Sequence, residues 1–306
     1  MNNNFTNEFL IEHLNKQYGE SITSEILKGY EERRYTTLRV NTLKSSKEEV
    51  TEVFKNLNIE YETLELFPDA FVILNKTSKE MLELDLCKEG KIYLQSLSSQ
   101  LPALLLNAKE NQDILDMCAS PGSKTTYIAA LTNDSARITA CEIDKIRCER
   151  LKFNVNKLGT KNVSCMCVDA TKLDDYFRFD NILLDAPCSG SGTLSIYDKS
   201  FTKFSKALVY NSSKLQFLLL KKALTILKPG QTMIYSTCSI LDIENEEVVN
   251  KVLKSMKCSI VKFNEDIYSK LPLLPTTIDG GICIKPNKYF EGFYVIKIKK
   301  EAEYEK

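Results

Sequence analysis

"QDILDMCASPGSKTTYIAALT", residues 112–132, decides the fold. It opens with an apolar run of strand length. A loop of small residues with Pro121 and Gly122 follows, and "TTYIAALT" then has the make-up of a helix. The same grammar continues downstream. "ARITACEID" (136–144) reads as a strand and "KIRCERLKFNVNKLG" (145–159) as a helix closed by Gly159. "NVSCMCVDA" (162–170) and "FDNILLDAP" (179–187) are strands. "SSKLQFLLLKKALTILKPG" (212–230) is a long helix ended by Pro229–Gly230. "TMIYSTCS" (232–239) is a strand, "ENEEVVNKVLKSM" (244–256) a helix and "GFYVIKIKK" (292–300) a last strand, expected to run antiparallel. Strands alternating with helices predict an α/β fold: a Rossmann-like, open, mostly parallel sheet with helices on both faces. Residues 189–210 form the one long connection without a clear element, and such loops tend to be functional.

Upstream of this sheet the pattern predicts a smaller α+β unit. "FTNEFLIEHL" (5–14) and "SITSEILKGY" (21–30) read as two amphipathic helices. "TTLRVNT" (36–42) alternates like a strand. "SSKEEVTEVFKNL" (45–57) opens with Ser and carries Glu48 and Glu49 in its first turn, the pattern of a capped helix. "IEYETLEL" (59–66) and "AFVIL" (70–74) are further strands. The expected division is an N-terminal domain over 1–89 and a catalytic domain over 90–306. The first carries Lys28, Arg33, Arg34, Arg39, Lys44 and Lys47. That set reads either as a solvated face or as a phosphate-contacting patch for nucleic acid.

Composition narrows the function classes. The chain has 306 residues, 43% of them hydrophobic, which supports a real core rather than disorder. No run of ~18 apolar residues predicts a membrane span. The polar, acidic start "MNNNFTNEFLIEHL" is no secretory signal, so a cytoplasmic protein is expected. Ten cysteines with no C-x-x-C pair, and His13 as the one histidine, argue against disulfides, a zinc site and a histidine-based triad. Cys118, Cys141, Cys165 and Cys167 lie within or beside strand-like runs and read as reduced, small buried hydrophobes. Lys+Arg and Asp+Glu are both 41, so an RNA-binding surface would have to be local. A monomer without metal is expected.

In an open α/β sheet the ligand lies beyond the carboxyl ends of the strands. Cys118, Ala119, Ser120, Pro121, Gly122, Ser123 and Lys124 follow the first strand, Glu142 and Asp144 the second, and Asp169 the third. Asp185, Pro187 and Cys188 follow the fourth, and Cys238 the fifth. Small residues let a ligand approach the backbone. An acid after strand two can accept ribose hydroxyls, and one after strand three can accept from an adenine amino group. Neither G-x-G-x-x-G nor G-x-x-x-x-G-K-[ST] occurs, so a nucleoside ligand without pyrophosphate fits, and S-adenosylmethionine is the obvious one. Cys188 and Cys238 sit past their strands rather than in them, which singles them out from the other thiols. A thiolate adding to C6 of a pyrimidine makes C5 nucleophilic enough to accept a methyl group. The target base must then leave its stack to reach the pocket.

The stretches "DMCASPGSKT" (116–125), "LLDAPCSGSGT" (183–193), "YSTCSI" (235–240) and "ENEEVV" (244–249) resemble the Sun (Fmu-like) family of RNA cytosine-5 methyltransferases. "LRVNTLK" (38–44) and "GKIYLQSLSSQLPALLL" (90–106) extend the likeness over about residues 35–300. The resemblance implies a class I methyltransferase domain behind an RNA-binding unit, with S-adenosylmethionine as donor and rRNA or tRNA as substrate. It implies Cys238 as the nucleophile on C6, Cys188 as an aid to release, and Asp185 bonding cytosine N3. It also implies that residues 118–124 wrap the methionine end of the donor, that Glu142 holds ribose and Asp169 adenine, and that Lys124 orients Asp185 or the base. The family often has a Pro-His and then Asp-Gly-Phe-Phe near its end. Here "IKPNKYFEGFY" carries Asn287 and Glu291 instead. Two other readings stay open. A 5-methyluracil enzyme shares the thiol logic, although an acid at N3 favours cytosine. A cofactor-binding RNA chaperone would form no covalent adduct.

Overall fold

A computed structural model describes residues 7–302, so Phe5 and Thr6 of the first expected helix lie outside the described residues. Asn7 accepts the Leu10 N–H and starts α1 (Glu8–Glu31). Gly19 at φ 79° interrupts the helical path, so the two expected helices form one kinked element. A small antiparallel sheet follows, ordered β2–β3–β1–β4 from β1 (Thr36–Val40), β2 (Tyr61–Glu62), β3 (Ala70–Ile73) and β4 (Ile92–Leu94). α2 (Lys47–Asn56) carries the reciprocal cap of Ser46 and Glu49 and buries Val50 and Phe54 against Leu38, Phe71 and Ile73. α3 (Ser78–Leu82) and α4 (Asp85–Lys88) add Met81 and Leu86 to that core. The strand expected over 59–66 shrinks to two residues, because Leu64 and Leu66 turn instead toward the core of the larger sheet.

The larger unit comprises α5 (Leu97–Leu106), β5 (Asp113–Asp116), α6 (Ser123–Leu131), β6 (Arg137–Cys141), α7 (Lys145–Leu158), β7 (Val163–Met166) and β8 (Phe179–Asp185). It continues through α8 (Ser200–Lys203), α9 (Lys206–Ile226), β9 (Leu227–Thr237), α10 (Glu246–Leu253), β10 (Cys258–Val261), α11 (Glu265–Ser269), β11 (Leu273–Leu274), β12 (Ile282–Ile284) and β13 (Phe293–Lys300). The sheet runs β11–β12–β13–β9–β8–β5–β6–β7, and β10 pairs with β13. β9, β8, β5, β6 and β7 are mutually parallel, while β13 lies antiparallel on β9. The Rossmann-like sheet and its antiparallel last strand are as expected. The long helix differs. It starts at Lys206, capped by Ser205, because buried Phe204 and Val209 anchor its first turn. Leu227 already pairs with Phe179, so Pro229–Gly230 lies in the irregular start of β9. The connection after Cys188 therefore holds a 3-10 turn at Ser191–Thr193, then α8, then the first turn of α9.

Alternation along the strands separates two apolar layers. Leu115, Ile182, Leu184, Met233 and Ile296 face α9 and α10, whereas Ile114, Ile138, Leu183, Ile234 and Val295 face α5 and α6. α1 inserts Leu10, Leu14 and Ile26 into the first layer, and Phe67 and Val72 enter the second. The N-terminal segment thus contributes to both cores of the large sheet. Packing of α7 against β7 also brings Cys148 and Cys167 together as a disulfide with Cα atoms 5.7 Å apart. This corrects the reading of Cys167 as a reduced thiol: the residue one past β7 turns toward the helix rather than into the sheet. No described helix is long and apolar enough to cross a membrane.

Candidate active site

β8 and β9 run side by side and bring Asp185 level with Ser236. The Ser236 hydroxyl donates to Asp185 Oδ1 at 2.8 Å, and Lys124 Nζ donates to Oδ2 at 2.7 Å. Lys124 also donates to Ser99 Oγ at 2.8 Å. Burial alone would lower the Lys124 ammonium, but the Asp185 carboxylate outweighs it and holds Lys124 above its ordinary range. Just past the two strands, Cys188 Sγ and Cys238 Sγ stand 3.0 Å apart. The hydrogen bond to Cys238, then burial, pushes the Cys188 thiol well up. Either sulfur can donate in this contact, and burial together with its neighbour favours the neutral form of Cys188.

The Cys188 loop is held close. The Gly192 N–H donates to the Cys238 carbonyl at 2.9 Å, and the Gly292 N–H donates to the Gly192 carbonyl at 2.8 Å. A Cβ on Gly192 would lie 2.0 Å from the Gly292 oxygen, so only glycine permits this crossing.

Two adjoining cavities open beside these groups. The larger, about 330 Å³, is lined by Cys118, Ala119, Ser120, Pro121, Ser123, Lys124 and Asp185 among others. The smaller, about 80 Å³, is lined by Glu142, Arg147, Asp169 and Pro187, and shares Cys118 with the first. Gly122, at φ 101°, sits behind the wall as the N-cap of α6 and packs toward Leu151. Glu142 is buried, accepting the Asp144 N–H at 3.0 Å and facing Arg147 at 3.2 Å. Asp169 Oδ1 accepts from the Thr171 N–H and hydroxyl. Asp144 lines neither cavity: its carboxylate accepts the Arg147 N–H at 2.8 Å and caps α7. Strand-end position alone did not distinguish a cap from a wall residue.

Asp116 was missed by the sequence reading. It is the last residue of β5, and its acid at the end of an apolar strand was the available signal. Its Oδ2 accepts the Thr125 hydroxyl at 2.7 Å, while Oδ1 is buried without a partner in the wall of the larger cavity. Burial pushes its carboxyl up to about 6. Glu291 lines the same cavity, accepting the Ser96 hydroxyl at 2.6 Å. Asn287 instead shapes a turn, its Oδ1 accepting the Tyr289 and Phe290 N–H groups.

The six-residue basic set does not form one patch. Arg39 is fully buried and donates to Gln95 Oε1, Thr126 Oγ1 and the Ser123 carbonyl. Arg34 donates to the Thr193 and Leu194 carbonyls of the Cys188 loop. Lys44 and Lys47 donate to the carbonyls of Glu89, Lys157 and Pro68. Lys28 and Arg33 remain exposed. His13 pairs with Asp242 at 2.6 Å and helps seat α1. Among the described residues, no group of three or more His, Cys, Asp or Glu is arranged to hold a metal ion.

A parallel α/β sheet with acids and a small-residue loop at its strand ends defines a class I, S-adenosylmethionine-dependent methyltransferase domain, here with a thiol pair beside the donor crevice. Residues 103–299 match the family model of the 16S rRNA methyltransferase RsmB/F, and residues 6–79 match the RsmF/B-like ferredoxin-like domain. The chain belongs to the RsmB/F methyltransferase family, in agreement with the resemblance read from its motifs. It is 33% identical to a probable ribosomal RNA small subunit methyltransferase B of Coxiella burnetii over 90% of this chain and 62% of that protein. It is 29% identical to a 28S rRNA (cytosine-C(5))-methyltransferase of Mus musculus over 96% of this chain and 38% of that protein. The chain thus spans less than two thirds of the length of either. A solved methyltransferase homolog from Pyrococcus horikoshii matches 96% of this chain and 99% of its own at 26% identity and a TM-score of 0.79.

Proposed function

We propose that the chain methylates C5 of a cytosine in ribosomal RNA. The observation that carries this reading is the pair of thiols 3.0 Å apart, next to the Lys124–Asp185 pair and the donor crevice. The names of the curated relatives favour rRNA over tRNA as substrate. We read residues 1–89 as an RNA-binding unit, residues 90–306 as the catalytic domain, and the location as cytoplasmic.

S-adenosylmethionine, when bound, supplies an electrophilic methyl group. The residues present fit it. Asp116 Oδ1 is a buried acceptor in search of a donor, which an ammonium supplies. Residues 118–124 would wrap the methionine end, with Glu142 toward the ribose and Asp169 toward the adenine. Cys238, as thiolate, adds to C6 of the flipped cytosine, and the C5–C6 electron pair shifts into the ring toward N3. Asp185, entering as the carboxylic acid and oriented by Lys124, hands its proton to N3, so the ring gains no net charge from the attack. C5 then takes the methyl group. Loss of the C5 proton to a water molecule restores the C5–C6 double bond and expels the Cys238 sulfur. The Cys188 S–H donates to that sulfur before attack and again as it leaves, lowering the cost of the thiolate at both ends. Asp185 accepts the N3 proton back. Cytosine suits this relay because its N3 accepts, whereas uracil N3 donates.

The test is methylation of unmodified rRNA and tRNA with labelled S-adenosylmethionine, read by nucleoside mass spectrometry. 5-Methylcytidine in rRNA is expected. 5-Methyluridine would overturn the role of Asp185, and product in tRNA alone would overturn the substrate.

A further inference from the structure

The chemistry above needs two thiols from two different loops to keep a fixed separation, and the strands alone do not provide that. Cys238 follows β9 directly, and its neighbour Thr237 is still paired with Tyr294 of β13. Cys188 lies three residues beyond the end of β8, past Pro187, where ladder hydrogen bonds have stopped. Something else must register it.

Glu244, in the 3-10 turn between β9 and α10, is fully buried. Its carboxylate accepts the Ser189 N–H at 2.6 Å, the Ser189 hydroxyl at 2.6 Å and the Ser239 hydroxyl at 2.6 Å. Ser189 immediately follows Cys188, and Ser239 immediately follows Cys238. One side chain therefore grips the residue after each thiol. The direction of the network is fixed by counting protons. Ser239 has a single hydroxyl proton and gives it to the carboxylate, so Ser191 must donate to Ser239 Oγ across their 2.8 Å contact. Ser191 Oγ in turn accepts the Ile240 N–H at 3.0 Å. The Tyr235 hydroxyl, donating to the Glu244 carbonyl at 2.6 Å, fixes the turn itself. Three converging donors call for an acceptor-only group. A carboxamide in this position keeps only one acceptor atom, so the serine hydroxyls facing its NH2 would have to turn from donors into acceptors and the network would rearrange.

We propose that Glu244 is a positioning residue that registers Cys188 against Cys238, so that its loss strands the covalent RNA adduct rather than preventing its formation. Attack depends on Cys238, which the β-sheet holds. Release depends on the Cys188 S–H reaching the departing sulfur, which the Glu244 clamp holds. The carboxylate also adds to the influences that keep the Cys188 thiol protonated, after the Cys238 hydrogen bond and burial. This inference rests on the thiol roles proposed above.

Two measurements test it. The first compares wild type, Glu244→Gln and Ser189→Ala on rRNA with S-adenosylmethionine, reading turnover and gel-stable protein–RNA adduct. Both variants are expected to accumulate adduct and to lose turnover by roughly ten-fold or more, with donor affinity unchanged. Turnover like wild type without adduct in both variants would overturn the proposal. If Glu244→Gln fails to fold, Ser189→Ala, which leaves the carboxylate two donors, decides alone. The second is independent of RNA: pH-resolved iodoacetamide labelling of Cys188, followed by peptide mass spectrometry, in the Cys238→Ala background. Glu244→Gln is expected to move the Cys188 labelling midpoint to lower pH, and Asp in place of Glu244 to restore it in part. An unmoved midpoint overturns the proposal even if methylation proceeds. A moved midpoint with no 5-methylcytidine from wild type upholds the clamp and sinks only the assigned reaction.

Discussion

Cys188 and Cys238 have the same chemistry, and the different roles proposed for them rest on their different surroundings. Cys188 lies in a loop beyond its strand, where contact with Cys238 and burial push its thiol up, whereas Cys238 follows β9 directly. Cys238→Ala should lower methylation by roughly 10³-fold or more while donor affinity, measured by calorimetry, is retained. Cys188→Ala should permit attack and build up adduct on a denaturing gel. The opposite pattern would exchange their roles. Asp116 carries a second residue-scale prediction. Its carboxyl lies at about 6 in the fold, above its unfolded value, so the fold favours its neutral form. Below about pH 4 both states are protonated and nothing is lost. As pH rises through 6 the ionised, buried acid destabilises the protein, by roughly 3 kcal/mol at most. Asp116→Asn should therefore be more stable than wild type at pH 7.5 in urea titrations, with the difference shrinking toward pH 4.5. Donor affinity should fall in the same variant, since the neutral amide loses the attraction for an ammonium.

Elements decide which side chains meet. The first strand–loop–helix unit makes the donor crevice because β5 ends level with β6 and β8, and α6 begins at once. The Cys188 loop is the less regular part, and its crossing with the lead into β13 has no room for a side chain. Gly192→Ala should cost about 1–3 kcal/mol, seen as a lowered Tm. Methylation should fall further than stability does, because the crossing sits between Cys188 and Cys238. A Tm and turnover equal to wild type would mean that the two segments separate freely.

Across the whole molecule, the N-terminal segment is not a bead on a string. α1 contributes Leu10, Leu14 and Ile26 to the layer under α9 and α10. Leu14→Ala should cost about 2–5 kcal/mol in global unfolding, with a single transition lost from both units together. A separate early transition for residues 1–89 would contradict that coupling. The proposed capture of RNA belongs at this scale too. Reversing Arg33, Arg34 and Lys44 together would break backbone contacts in the Cys188 loop and near α7, confusing binding with folding. Arg33→Glu is the cleaner probe, since Arg33 is exposed. It should weaken RNA binding and reduce the salt slope by about one, with Tm unchanged.

The sequence by itself determined the alternating strands and helices, the strand-end acids, the small-residue loop and the two cysteines past their strands. These signals are local: apolar period, turn chemistry and position relative to a strand end are all written within a few residues. Ser46–Glu49 and Gly159 behave as their local patterns predict for the same reason. Tertiary structure alone decided which polar groups share a space. Arg39 looks like a surface cation in "LRVNT", yet it is buried, because β1 turns it toward Tyr127 and the start of α6. Asp144 and Asp169 look alike as strand-end acids and both cap the turn that follows, yet only Asp169 also lines a cavity. The disulfide of Cys148 with Cys167, and the Glu244 grip on Ser189 and Ser239, join residues far apart in sequence. Such contacts depend on the angle at which elements pack. That angle comes from the burial of many side chains at once, and no single stretch of sequence contains it.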